Sequence, residues 1–168
     1  MRDILERVVL WWALLGGVGL LLIVGATALN VAAFALDMMA RPLGGSVAVF
    51  SGYEDFVRLI ISAAVLMLFP YCQMRRGHVA VDLFVERLPI GVQRAVDAIS
   101  LIGMTLLVGF LLYWMWIGMI ETRADGAVSR VLGWPEWLFY LPGLISLALW
   151  GAVAAVAAHG ALFGRWPR

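Results

Sequence analysis

Lysine is missing from this sequence, and cysteine is nearly so. All twelve basic residues are arginine, and Cys72 is the single thiol. One cysteine can form no internal disulfide and offers no thiol pair, which excludes a membrane oxidant that works through a disulfide. The arginines are dispersed and the net charge is only +1. No basic patch is therefore dense enough to make nucleic acid an expected partner.

Charged residues of either sign are scarce. They make up 14% of the 168 residues, against roughly 25% in soluble domains. Hydrophobic residues account for 64%, and the mean hydropathy is +0.96. This composition predicts an integral membrane protein. Its apolar runs are continuous and do not alternate with polar residues, which excludes a transmembrane barrel and favours helices.

Four apolar stretches approach the roughly 20 residues that a helix needs to cross a hydrocarbon core of about 30 Å. We therefore predict an all-α, polytopic membrane protein with four transmembrane helices in a single domain over residues 1–168. The predicted spans cover residues 8–36, 54–74, 95–120 and 136–161.

The first span has some features of a secretory signal, because Ala26-Thr27-Ala28 has the small residues of a cleavage site. Its apolar region is too long for a signal, however, and Asp3 and Glu6 are unusual in the basic leader of one. We interpret it as a retained span. Cleavage near Ala28 would instead leave three helices.

The distribution of arginine predicts the orientation of the chain. If the N-terminus is cytoplasmic, eight arginines lie inside and four outside, in agreement with the excess of positive charge in cytoplasmic loops. The inner eight are Arg2, Arg7, Arg75, Arg76, Arg87, Arg94, Arg165 and Arg168, and the outer four are Arg41, Arg58, Arg123 and Arg130. Both termini, and the connection between the second and third spans, are therefore expected in the cytoplasm.

This cytoplasmic connection has an amphipathic pattern. Over residues 78–89, apolar side chains recur at helical spacing, and His78 and Asp82 fall together on another face. The pattern predicts a short interfacial helix that lies along the membrane surface. Arg75 and Arg76 precede it, where the second span leaves the membrane, and are candidates to bind anionic lipid headgroups.

The pair His78 and Asp82 does not make a metal site by itself. A metal needs more converging ligands, and the other histidine, His159, lies at the end of the fourth span. We therefore expect no metal and no cofactor. The pair, spaced four residues apart, is interpreted as a hydrogen-bonded clamp that fixes the loop. With no catalytic residues expected, the chain is predicted not to be an enzyme.

The first span carries one strongly polar residue, Asn30. We interpret it as part of an interhelical or end-of-helix hydrogen bond, with a place on a solute path as the alternative. Glycines at positions 16, 17, 19 and 25 allow another backbone to approach this span closely.

Polar and helix-breaking residues mark the second and fourth spans. Glu54 and Arg58 have the i, i+4 spacing of an ion pair at the start of the second span. Pro142 falls inside the fourth apolar run, so it is expected to kink the helix and leave a carbonyl for a neighbouring group to satisfy.

No acidic or basic residue falls at mid-membrane depth in the predicted spans. Carriers that couple to protons or ions usually place ionisable groups there. The sequence also has no obvious internal repeats of the kind that build the halves of a carrier. These features favour a helper or scaffold for a larger membrane protein over a carrier that works alone.

The cytoplasmic connection resembles a known motif. Residues 71–83, followed by Leu88-Pro89, resemble the loop motif of the small Q (DctQ-like) subunits of tripartite ATP-independent periplasmic (TRAP) transporters. The resemblance covers nearly the whole chain, in length and in number of helices. Further matching positions are Arg41 after the first span, Gly52-Tyr53-Glu54 at the opening of the second, and Leu141-Pro142-Gly143 in the fourth.

The resemblance implies a subunit of the bacterial inner (cytoplasmic) membrane that pairs with a large M membrane subunit. In that family a periplasmic substrate-binding protein delivers an organic acid to the M subunit, which carries it by an elevator motion driven by a sodium gradient. The Q subunit resembles part of the static scaffold. On this interpretation the structural or partner-interface candidates are Arg41, Glu54, Arg58, Gly77, His78, Asp82 and Pro142, and the lipid-headgroup candidates are Arg75 and Arg76.

Two other functions stay open. A stand-alone small four-helix exporter is disfavoured, because the first span has no carboxylate inside the membrane for proton coupling. A four-helix membrane redox protein would use His78 and His159 as haem ligands, and the absorbance spectrum of the purified protein would identify it by a Soret band.

Overall fold

The computed structural model describes residues 2–48, 50–75 and 89–162. Four long helices dominate these residues: α1 Arg2–Ala40, α2 Tyr53–Met74, α3 Ile90–Ala124 and α4 Tyr140–Leu162. All four are long and apolar enough to cross a membrane, which confirms the predicted all-α fold with four spans. Several predictions lie outside the described residues: the interfacial helix up to residue 88, and the roles of Arg76, Gly77, His78 and Asp82.

The helices pack in a row. α1 packs on α2, α2 on α4, and α4 on α3, so that α4 lies between α2 and α3. Burial follows this order, because half of the most apolar stretch of α4 is buried, against 6% of that of α3. α1 and α3 therefore form the two ends of the row and expose most of their apolar surface.

Two glycines of α1 allow it to approach α2 closely. A Cβ atom at Gly16 would lie 2.8 Å from both the carbonyl oxygen of Ala64 and the Cβ of Met67, and one at Gly19 would lie 3.2 Å from the Cβ of Ala64. A Cβ atom at Gly17 would meet nothing within 4 Å. Close backbone approach of this kind maximises the van der Waals packing that associates helices in a membrane.

The apolar core lies between α2, α3 and α4. Val108 of α3 is buried against Leu147 and Trp150 of α4. The Trp150 ring stacks on Phe69 of α2 with centroids 4.9 Å apart, and its Nε1 donates a hydrogen bond to Gln73 Oε1 at 3.4 Å. A buried ring with a stacked neighbour and a hydrogen-bond partner fixes α4 against α2.

The prolines are placed differently from the sequence prediction. α4 begins at Tyr140, after the 3-10 helix Glu136–Phe139, so Pro142 lies in its first turn, where a missing N–H breaks no intrahelical hydrogen bond. The prediction that Pro142 kinks the fourth span is therefore wrong. The proline inside a helix is Pro70 of α2, which is fully buried.

Candidate functional site

The polar residues singled out in the sequence gather at one end of the bundle. We call the end where α1 and α3 finish, and where α2 and α4 begin, the outer end. Two connections lie there: residues 41–52 join α1 to α2, and residues 125–139 join α3 to α4. Three of the candidate side chains, Arg41, Glu54 and Arg58, belong to this end.

Asp37 anchors the first outer connection. Asp37 is 6% exposed, and its carboxylate accepts hydrogen bonds from Arg41 Nε at 2.8 Å and from the Val47 N–H at 3.0 Å. The chain turns through the 3-10 helix Arg41–Leu43 and leaves it at Gly44, whose φ of +79° favours glycine. Arg41 is thus an internal partner of Asp37, although its side chain stays 72% exposed.

Asp55 clamps the second outer connection to α2. Asp55 is 7% exposed, and its Oδ2 accepts hydrogen bonds from the backbone N–H of Val131 at 2.7 Å and from that of Leu132 at 3.3 Å. Hydrogen bonds to an ionised carboxylate are among the stronger ones in proteins. Asp55 lies in the first turn of α2, where the helix dipole also favours a negative charge.

The clamped connection folds back on itself. Val128 and Pro135 form a β-bridge, and the Ser129 N–H donates to the carbonyl of Trp134 at 2.9 Å. The Trp134 N–H donates in turn to Ser129 Oγ at 3.1 Å. Gly133 provides the positive φ of +67° that the turn requires. These internal bonds give the connection a defined shape before it meets any partner.

Gly52 and Arg58 complete the clamp. Gly52 has a φ of +95°, and a Cβ atom there would lie 2.8 Å from Leu132 Cδ2, so only glycine lets the connection pack so closely. Arg58 forms an ion pair with Glu136. The predicted pairing of Glu54 with Arg58 is therefore wrong. Glu54 is exposed, and the tertiary fold brings Glu136 to the guanidinium group instead.

Polar contacts also link the helices themselves. Trp12 Nε1 of α1 donates to Ser146 Oγ of α4 at 2.8 Å, and the Ser146 hydroxyl donates to the carbonyl of Pro142 at 2.7 Å. Near the outer end, the Tyr53 hydroxyl donates to Thr27 Oγ1 at 3.3 Å. Neither contact was predicted, because hydroxyl and indole groups at these positions have no distinctive spacing in the sequence.

Two other predicted polar positions can be placed. Asn30 Oδ1 is buried and accepts no hydrogen bond from the described residues, so the interhelical bond predicted for this oxygen is not formed among them. Arg75 at the inner end of α2 is exposed, and its guanidinium lies over the Tyr71 ring, 5.5 Å from the centroid.

The chemistry available to this arrangement is structural. Residues 2–48, 50–75 and 89–162 include the buried charged residues Asp37 and Asp55, and both of these accept hydrogen bonds from N–H donors of the same chain. The same residues contain no group of three or more His, Cys, Asp or Glu side chains placed to hold a metal ion. The arrangement can hold two connections rigidly against the helices.

Comparison with known proteins assigns the chain to a family. No curated protein matches it. The sequence model of one family, "Tripartite ATP-independent periplasmic transporters, DctQ component", matches residues 30–164. This range contains α2, α3, α4, both outer connections and the motif of residues 71–89 that carried the resemblance. The family consists of transporter subunits and not of enzymes. The chain therefore belongs to the DctQ family, the small membrane subunits of tripartite ATP-independent periplasmic transporters.

Proposed function

We propose that the chain is the scaffold subunit of a secondary-active, sodium-coupled TRAP transporter for organic acid uptake. In this role it supports the large M subunit, which carries the substrate, and itself binds neither substrate nor ion. Family membership supports the place in the transporter. The scaffold role is supported above all by the two buried carboxylates, Asp37 and Asp55, which accept hydrogen bonds from donors of their own chain.

Helix continuity supports the same role. Ion sites in secondary transporters are typically built where a transmembrane helix is interrupted and its free backbone carbonyls coordinate the ion. α1 to α4 are each continuous within their bounds, so most of their backbone carbonyls accept hydrogen bonds within the helices, although Pro70 removes one such bond in α2. A coupling ion therefore finds no interrupted span to bind in the part of the chain that the structure describes.

We further propose that both termini lie in the cytoplasm of a bacterial inner membrane, an orientation supported by the eight-to-four distribution of arginine. The outer end then faces the periplasm. Its clamped connections form a preorganised surface for transient contact with the periplasmic substrate-binding protein, and the exposed side chains of Arg41 and Glu54 are candidates for that contact.

The inner end is proposed to meet lipid and the M subunit. Arg75 and Arg76 are proposed to bind anionic headgroups, each contributing about 1 kcal/mol near the surface. Lipid retained by the purified double variant Arg75→Ala/Arg76→Ala, compared with wild type by mass spectrometry, tests this. The motif residues Gly77, His78 and Asp82 are proposed to stabilise the complex, because their spacing fits a loop clamp.

Reconstitution tests the proposed function. Proteoliposomes that contain this chain alone, the M subunit alone, or both are compared for sodium-driven uptake of C4-dicarboxylates and sialic acid in the presence of the binding protein. Uptake is expected only when both subunits are present, and its substrate profile is expected to follow the M subunit. Uptake by this chain alone would refute the scaffold role.

Variants of the cytoplasmic motif refine the test. His78→Ala and Asp82→Ala are expected to lower the yield of the complex with the M subunit, while the complex that does form keeps its substrate profile. Val79→Ala, at a neighbouring position outside this pair, is the matched control. A changed substrate profile at normal complex yield would contradict the assignment of these residues to assembly.

A further inference from the structure

Helix α3 carries an aromatic cluster on a face that the described chain leaves open. Phe110, Tyr113 and Trp114 have i, i+3, i+4 spacing, which places them on one side of the helix. They are 60%, 60% and 55% exposed. The Trp114 ring lies edge-on to both neighbours, with centroids 6.2 Å from Phe110 and 5.8 Å from Tyr113. α3 therefore presents an ordered aromatic ridge at the end of the helix row.

This aromatic ridge lies within the uncharged stretch 98–120 of α3, in its outer half. A Cβ atom at Gly143 of α4 would contact both Met115 of α3 and Leu66 of α2, which puts Trp114, next to Met115, at the height of Leu66. Leu66 lies at the middle of the uncharged stretch 59–74 of α2. That stretch is about 24 Å long at 1.5 Å per residue, so its middle corresponds to the hydrocarbon core.

The ridge brings two unpaired donors to this depth. No acceptor among the described residues binds Trp114 Nε1–H or the Tyr113 hydroxyl. Acyl chains offer no acceptor either, and an unsatisfied polar group in hydrocarbon is costly. Tyrosine and tryptophan usually find a hydrogen-bond partner when they leave water, which is one reason that protein interfaces are enriched in them.

Charge continues the same face toward the outer end. Glu121 and Asp125 follow Trp114 along this side of α3, and both are exposed. They lie at the C-terminal end of the helix, where the dipole disfavours carboxylates, and no arginine of the described residues pairs with them. A partner with a positive charge at this height would complement them. Below the ridge, Gly103 meets nothing within 4 Å and leaves room for a helix to approach closely.

The opposite side of α3 differs in charge. Trp116 is also exposed, at 52%, but the basic residue in line with it, Arg123, already stacks on Trp137 with 4.9 Å between guanidinium carbon and ring centroid. The aromatic ridge, the unpaired carboxylates and the glycine gap thus coincide on one side only.

We propose that the face of α3 from Gly103 to Asp125 binds a transmembrane helix of the large M subunit. That helix supplies a hydrogen-bond acceptor level with Trp114 and an arginine or lysine at the height of Glu121. The proposal rests on the proposed function, because it takes the M subunit as the partner, and it assigns the contact to one side of one helix.

Two tryptophan variants on the same helix test the proposal. Trp114→Phe removes the indole N–H and keeps a ring, and Trp116→Phe makes the same change on the opposite side. The affinity of the purified chain for the M subunit is measured in detergent. Loss of one interhelical hydrogen bond is expected to weaken binding by about 3- to 20-fold for Trp114→Phe, with Trp116→Phe equal to wild type. Glu121→Gln is also expected to weaken binding to the M subunit. The effect should be larger at low salt, because the attraction that this variant removes is screened less there.

Photo-crosslinking identifies the occupant directly. A benzophenone amino acid at position 113 of the intact complex is expected to form an adduct with the M subunit. An adduct with a second copy of this chain, or with lipid alone, would overturn the proposal, as would equal affinities of the two tryptophan variants. In each of these cases the wild-type complex still forms, so the scaffold role stands. If wild-type chain does not bind the M subunit at all, the proposed function fails and this assignment fails with it.

Discussion

Replacing Asp55 with alanine is expected to release the connection between α3 and α4 from helix α2. The substitution removes the acceptor of two backbone N–H groups, those of Val131 at 2.7 Å and Leu132 at 3.3 Å. A hydrogen bond to a charged group contributes about 1.5–3 kcal/mol, and the longer bond belongs at the low end. The clamp therefore contributes about 3–4.5 kcal/mol, and its loss raises the open fraction of the connection by roughly 140- to 1,600-fold.

Limited proteolysis measures this opening. Trypsin cleaves after arginine, and Arg130 lies in the connection, directly before the clamped Val131. When opening and closing are fast relative to cleavage, the cleavage rate follows the population of the open form. Cleavage after Arg130 in the folded, detergent-solubilised protein is therefore expected to accelerate by the same factor, and the fragments are identified by their masses.

Glu54→Ala is the matched control for Asp55→Ala. Glu54 occupies the same first turn of α2 and carries the same charge, so both substitutions remove the same favourable interaction with the helix dipole. Glu54 is exposed and does not bind the connection. Equal cleavage rates in the two variants would refute the clamp, because the effect would then come from helix charge alone. Asp55→Asn, which keeps one acceptor without the charge, should fall between them.

Three further substitutions test the packing. Gly16→Ala places a Cβ atom 2.8 Å from the α2 backbone and is expected to lower thermal stability by about 1–3 kcal/mol, while Gly17→Ala, which meets nothing, is neutral or slightly stabilising; equal midpoints would contradict the close approach. Gly52→Ala is expected to accelerate trypsin cleavage of the connection between α3 and α4 more than Gly44→Ala does. Both glycines have a positive φ, but only Gly52 packs against that connection. Ser146→Ala is expected to cost about 0.6–1.7 kcal/mol in denaturant unfolding through loss of the indole partner, and an unchanged midpoint would show that this bond contributes nothing.

The four helices could be predicted because the membrane imposes a simple rule on the sequence. A segment that crosses hydrocarbon must satisfy its own backbone and must be apolar over its length. Gly16 shows how much of the packing the sequence predicts, because this small residue in the first span correctly indicated the close approach of another helix. It did not identify α2 as the neighbour, because spacing along one helix contains no information about its partner.

The outer clamp could not be predicted, because its contacts join residues that are distant in sequence. Arg58 pairs with Glu136, 78 positions away, whereas local spacing favoured Glu54. Asp55 binds backbone N–H groups, and a backbone donor has no side-chain identity for the sequence to reveal. Pro142 was misplaced because a 3-10 helix delays the start of α4, a shift of a few residues that hydropathy does not resolve.

The unequal helices of the row impose hydrophobic mismatch on any flat bilayer. The uncharged stretch of α2, residues 59–74, is about 24 Å long, whereas that of its neighbour α1, residues 8–36, is about 43 Å long. A hydrocarbon core of about 30 Å is too thick for the first and too thin for the second. The bilayer must thin beside α2. Along α1, either the helix must tilt or protein must replace lipid. Each adjustment costs a fraction of a kcal/mol per Å of mismatch. Membrane thickness is thus a variable to which the stability of this small subunit responds.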